Sequence, residues 1–192
     1  NDYSFVRPVK WLLTLLGREC IPMTLFGIKA GRDTYGHRFH FDKPLNIPEP
    51  RDYSAILFSK GRVFADNHTR QETIEKYIKK AAGNNLPIVR PALLSEVTGL
   101  VEWPIAHVGR FDPRFLSLPR EVLITSMATH LKCFPIEDDK GQLLPQFIVI
   151  SNIECANPSL IIHGNERVLN ARLSDAEFFY QNDLKTPLEK RL

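Results

Sequence analysis

The sequence predicts an α+β fold in which a mixed or antiparallel sheet is packed against helices. Three observations lead there. Apolar residues recur at helical spacing over 68–82 and 119–131. Short apolar runs bounded by turn residues occur at 9–16, 105–110, 134–136 and 147–150. The two kinds of segment alternate without a regular strand–helix–strand rhythm. With 192 residues, 43% hydrophobic and 24% charged, the composition is that of a globular chain. A chain of this size removes roughly 70% of its unfolded surface on folding. One domain over 1–192 is expected, with 44–92 as a satellite lobe.

Residues 9–26 read as a hairpin turning at Gly17-Arg18, with Pro22 marking its second strand as an edge. The polar stretch 29–43 contains Gly36-His37-Arg38-Phe39-His40, and Pro44, Pro48 and Pro50 then break regular structure. A short helix is expected at 52–60 and a strand at 62–65. In the helix 68–82, Ile74, Tyr77, Ile78 and Ala81 share a face, Glu72–Lys76 and Glu75–Lys79 pair in the favourable order, and Gly83 ends it. A helix at 93–101 stops before Pro104, and a strand follows at 105–110. Asp112-Pro113 is an N-cap followed by proline at the first helical position. The helix 119–131 carries Leu123, Met127 and Leu131 on one stripe, and a second hairpin turns at Asp138-Asp139-Lys140-Gly141. Asn157-Pro158 opens a helix running towards Gly164, and Ser174-Asp175-Ala176-Glu177 is a capping box that starts another.

Net charge is +3, and its placement is uneven. From position 7 to 43 there are seven Lys/Arg against three Asp/Glu, whereas 44–192 balance at eighteen each. A modest basic end suits a polyanion such as RNA without specifying one. No apolar run approaches the length of a membrane helix. Cys20, Cys133 and Cys155 form no C-x-x-C pair and read as reduced thiols of a cytosolic chain. The start at Asn1-Asp2-Tyr3, with no leader, reads as a piece of a longer polypeptide.

Enzyme motifs are weak. Neither G-x-x-x-x-G-K-[ST] nor G-x-G-x-x-G is present, and no serine elbow of the form G-x-S-x-G occurs. His107-Val108-Gly109-Arg110 resembles only faintly the phosphate-contacting His-x-Gly-His of class I synthetases, and reads as an exposed strand end. His37 and His40 lack a third ligand nearby and read as a surface loop, so no metal site is assigned. His130 and Cys133 lie three apart at a helix C-terminus, whose dipole disfavours a thiolate. Glu177 is explained by the capping box, and Arg167 and Arg172 flank the expected turn between two helices.

Taken together, a series of strings is specific. Arg7-Pro8-Val9-Lys10-Trp11, Gly36-His37-Arg38-Phe39, Leu100-Val101-Glu102-Trp103-Pro104 and Leu118-Pro119-Arg120-Glu121-Val122-Leu123 occur in order. Leu144-Pro145-Gln146-Phe147, Ser151-Asn152-Ile153-Glu154, Gly164-Asn165-Glu166-Arg167-Val168 and Arg172-Leu173-Ser174-Asp175-Ala176-Glu177-Phe178-Phe179 follow. This series resembles the beta subunit of the bacterial heterotetrameric glycyl-tRNA synthetase over nearly the whole chain. Leu131 and Cys133 stand where that family usually has Gln and Tyr, and Asn170-Ala171 where it tends to read Arg-Pro.

The resemblance implies a class II ligase in which ATP and Mg²⁺ act on a separate alpha subunit, with none bound here. It also implies an architecture similar to the B3/B4 module of the phenylalanyl-tRNA synthetase beta subunit. Expected partners are the alpha subunit, tRNA-Gly and the rest of the beta subunit, in the cytoplasm and away from membranes. The leading expectation is a non-catalytic tRNA-binding or scaffolding segment, with Arg38, Lys132, Arg167 and Arg172 as phosphate contacts. Their alternative role is ion pairing with Glu102, Glu166 or Asp175. A second reading is an editing-type hydrolase of mischarged aminoacyl-tRNA with His130 or Glu177 handling the proton. A third is a protein-interaction module docking through Phe39, Phe41 or Trp103.

Overall fold

A computed structural model describes residues 9–190. The chain divides into two compact units, the first ending at Asp66 and the second beginning at Asn67. The expected satellite lobe coincides with neither, because 44–66 belong to the first and 67–92 to the second.

The first unit is built from very short strands. β1 (Leu12–Leu13) is followed by a hairpin of β2 (Leu15–Leu16) and β3 (Glu19–Cys20). Gly17 opens its two-residue turn with φ 57°, a region that costs glycine little. A second hairpin joins β4 (Thr24–Leu25) to β5 (Ile28–Gly31), and β1 adds to β5 in parallel. Phe26 and Gly27 both take positive φ in that turn, as the twist of a two-residue hairpin requires. β6 (Asp33–Tyr35) pairs with β7 (Pro44–Asn46) across the loop that holds Gly36–His40. Pro44 therefore begins a strand rather than ending one. It is an edge position, where the missing N–H breaks no ladder. α1 (Tyr53–Ser59) completes the unit, whose buried apolar side chains include Leu45, Ile47 and Leu57. The expected strand at 62–65 is irregular, with Arg62 at φ 56° turning the chain away from extended geometry.

The second unit is a three-layer sandwich. Its elements in order are α2 (Asn67–Ala82), β8 (Leu86–Pro87), α3 (Pro91–Leu100), β9 (Ile105–Arg110), α4 (Arg120–His130), β10 (Phe134–Glu137), β11 (Leu143–Ser151) and α5 (Pro158–Leu184). The strands form one antiparallel sheet in the order β8-β10-β11-β9. On one face Ile74 and Ile78 of α2 and Leu94 and Val97 of α3 pack on Phe134, Ile136, Ile148 and Ile150. On the other, Phe115, Leu123 and Met127 join Leu169 and Leu173 of α5 over Phe147 and Val149. The run Phe147-Ile148-Val149-Ile150 is buried throughout because its alternate side chains serve both faces.

Local chemistry explains most boundaries. Gly83, at φ 63°, follows the end of α2, and the Glu75–Lys79 pair closes at 2.9 Å. Glu72 meets His68 at 3.3 Å instead of the expected Lys76. Asp112 Oδ1 accepts the N–H of Arg114 at 3.0 Å, capping a turn of 3-10 helix at Pro113–Ser117.

One expectation fails outright. The helices expected on either side of Ser174 are a single helix, α5, of 27 residues. Leu169 and Leu173 lie one turn apart and fully buried, so packing carries the helix through Gly164 and past Ser174. Ser174 and Glu177 are thus interior helical residues and form no capping box. Arg167 and Arg172 flank no turn.

Candidate RNA-facing surface

The four cations read from the sequence occupy different settings. Arg38 is exposed in the β6–β7 loop, its guanidinium 5.8 Å from the centroid of the Phe39 ring. Lys132 sits just after α4 at φ 54°, and its Nζ meets Glu96 Oε1 at 2.8 Å. Glu96 was not among the carboxylates anticipated for it. Arg167 and Arg172 are exposed on α5 and, among the described residues, make no ion pair. At about 100° per residue, five positions separate these two by about 140° around the axis and about 7.5 Å along it. They therefore flank the buried stripe of Leu169 and Leu173 on opposite sides.

The inner edge of α5 is occupied by clamps. Glu166 Oε1 accepts the N–H of Arg110 at 2.9 Å, while its other oxygen lies 3.0 Å from His163 Nδ1. Asn170 Oδ1 accepts the N–H of Asp112 at 2.9 Å, oriented by its own amide donating to Glu166 O at 2.8 Å. Arg114 reaches Ser174 Oγ at 3.4 Å and Glu177 at 3.8 Å. At the other end of the β9–β11 pair, Asn152 Oδ1 accepts the N–H groups of Glu102 and Trp103 at 2.7 and 2.9 Å. The contacts that reach between elements tie together strings 49 to 63 residues apart in sequence. No local pattern reveals such partners, so sequence reasoning missed Asn152, Glu166 and Asn170 as fasteners.

The candidates for proton chemistry sit on different helices. His130 is exposed at the last position of α4. Glu177 faces Arg114 rather than a backbone cap. Cys133 is buried, its Sγ 3.4 Å from Leu131 O, and burial pushes its thiol pKa up to about 12. That excludes a thiolate at neutral pH. Alkylation of the native protein with iodoacetamide near pH 8 should modify the partly exposed Cys20 and Cys155 and spare Cys133, as read by mass spectrometry. Rapid labelling of Cys133 would contradict its burial.

His107 corrects a further expectation, since it is buried rather than at an exposed strand end. Ser151 Oγ donates to Ile153 O at 3.0 Å, so it accepts from His107 Nε2–H at 2.9 Å. Burial lowers the His107 pKa, keeping this arrangement neutral. His37, read as a surface side chain, is likewise fully buried. Among the described residues no three His, Cys, Asp or Glu side chains group as metal ligands. No helix there is long and apolar enough to cross a membrane.

Similarity to known proteins now decides the family. The family described as glycyl-tRNA synthetase beta subunit matches residues 1–192. The chain belongs to this family. A glycine–tRNA ligase beta subunit of Coxiella burnetii is 52% identical over 189 residues, covering 98% of this chain and 27% of that protein. Beta subunits of Pseudomonas fluorescens and Marinobacter nauticus are 48% and 45% identical, over 97% and 98% of this chain and 27% and 28% of theirs. The chain thus spans about a quarter of the length of these glycyl-tRNA synthetase beta subunits.

Surplus charge follows the division into units. Residues 1–66 hold ten Lys/Arg against seven Asp/Glu, whereas 67–192 hold fifteen of each. The whole net charge of this beta-subunit segment thus resides in its first unit.

Proposed function

We propose that this chain is a non-catalytic, tRNA-binding and scaffolding segment of the beta subunit of a glycine–tRNA ligase. In this reading ATP-dependent attachment of glycine to tRNA-Gly takes place on the alpha subunit, with its ATP and Mg²⁺. The alpha subunit, tRNA-Gly and the remainder of the beta subunit are its partners in the cytoplasm. The observation that carries the proposal is that, of the four cations named from the sequence, Arg38, Arg167 and Arg172 are exposed and have no carboxylate partner among the described residues, in a chain of this family. Such side chains give up no ion pair when they turn to phosphates, whereas Lys132 must first leave Glu96. The proposal extends to a likeness between the three-layer unit and the B3/B4 module, which superposition of the four-stranded sheets would decide.

Charge reversal in the full-length polypeptide tests it. Arg38→Glu, Arg167→Glu and Arg172→Glu should each weaken tRNA binding several-fold. Each should also reduce the slope of log affinity against log salt by about one. Lys132→Gln should do less, because its charge is already compensated. Unchanged affinity and slope in all three reversals would overturn the phosphate-contact reading.

A further inference from the structure

The β6–β7 loop inverts the usual order of burial. Its histidine is inside and its phenylalanine outside: His37 is 1% exposed and Phe39 67%. The inversion is held firmly. His37 N–H donates to Gly61 O at 2.7 Å, and His37 O accepts from His40 N–H and Phe41 N–H at 3.1 and 2.7 Å. Within the same turn, Nδ1 of the ring accepts from Phe39 N–H at 3.2 Å and His40 N–H at 3.4 Å. An accepting Nδ1 places the proton of the neutral ring on Nε2, which is buried and unpartnered among the described residues. The loop thus leaves a buried polar atom unsatisfied and keeps a large apolar ring in water.

We propose that this loop is a stacking platform for an unpaired nucleobase, with Phe39 as the face and Arg38 as the contact to the adjoining phosphate. The inference rests on the tRNA-binding reading and sharpens it to one site and one ligand class. An exposed aromatic ring on a backbone held in place accepts any base face, and a neighbouring guanidinium supplies the charge a nucleotide needs. Arg38 is within reach of both roles at 5.8 Å from the ring, and surplus positive charge lies in this unit. A base inside a duplex has its faces covered, so the target is single-stranded. In a tRNA that means the unpaired 3′ end or a loop.

The test uses the full-length polypeptide with tRNA-Gly, with tRNA-Gly lacking its unpaired 3′ nucleotides, and with a short single-stranded RNA containing 2-aminopurine. Phe39→Ala should weaken binding of the oligonucleotide about tenfold and abolish quenching of 2-aminopurine, leaving the salt slope unchanged. Phe39→Trp should retain both affinity and quenching. Arg38→Gln should weaken binding and lower the salt slope by about one. If trimmed tRNA loses the Phe39 dependence, the 3′ end is the ligand; if it keeps it, a loop is. Because the ring is exposed, thermal unfolding of Phe39→Ala should match the parent. Wild-type RNA affinity and quenching in Phe39→Ala would overturn the platform, as would loss of alpha-subunit association in their place, which would make the loop a protein contact. Either result would leave the reversals at Arg167 and Arg172 to judge the broader reading.

Discussion

Phe147→Ala should leave the second unit close to unfolding, at a cost of about 3–5 kcal/mol. Phe147 is fully buried at the centre of β11 and packs with Phe115, Leu123, Met127, Leu169 and Leu173. Its cross-strand neighbour is Gly109, where a Cβ would stand only 2.5 Å from the ring's Cζ. The glycine is therefore the floor on which the ring lies. No side chain there can swing in to fill the space that alanine would leave. Against a typical domain stability of about 5–15 kcal/mol, the loss consumes a large share. Urea denaturation followed by tryptophan fluorescence and far-UV circular dichroism would measure it. A cost below about 1.5 kcal/mol would mean that α5 and α4 collapse onto the sheet and the packing described here is not specific.

The second large effect is expected at Gly36→Ala. A Cβ there would meet only backbone: Gly61 O at 2.7 Å, Gly61 Cα at 2.8 Å and Phe41 O at 2.9 Å. Flexible side chains can yield to such a clash, but these atoms belong to the chain that accepts the His37 N–H. The loop and the segment after α1 must part, at a cost of about 2–3 kcal/mol. Hydrogen exchange should show faster exchange at His37, Phe39, His40 and Phe41, with amides of the second unit unchanged. Native-like protection at those four positions would show that the close approach is not required.

The fold was legible where local and long-range physics agree. Ile105–Arg110 appears at the expected bounds, and α2 differs from expectation by a single residue. There an amphipathic repeat or apolar run coincides with the buried face. Legibility failed where a local signal was outvoted. Ser174-Asp175-Ala176-Glu177 has the pattern of a capping box, yet burial of Leu169 and Leu173 keeps the helix going. Arg167 and Arg172, expected beside a turn between two helices, lie instead on opposite flanks of one unbroken helix. Burial of His37 could not be read, because Gly61, which holds it, lies 24 residues away. The same distance problem hid Asn152, Glu166 and Asn170, whose partners are settled only once the sheet exists.

β11 is the common wall of two separate hydrophobic interiors, with Ile148 and Ile150 turned to one and Phe147 and Val149 to the other. Neither interior can form alone, and a slip of one residue would trade their contents side for side. Evolution of this strand is consequently constrained twice over. A volume change tolerated by one helical layer must be tolerated, through the same backbone, by the layer behind it.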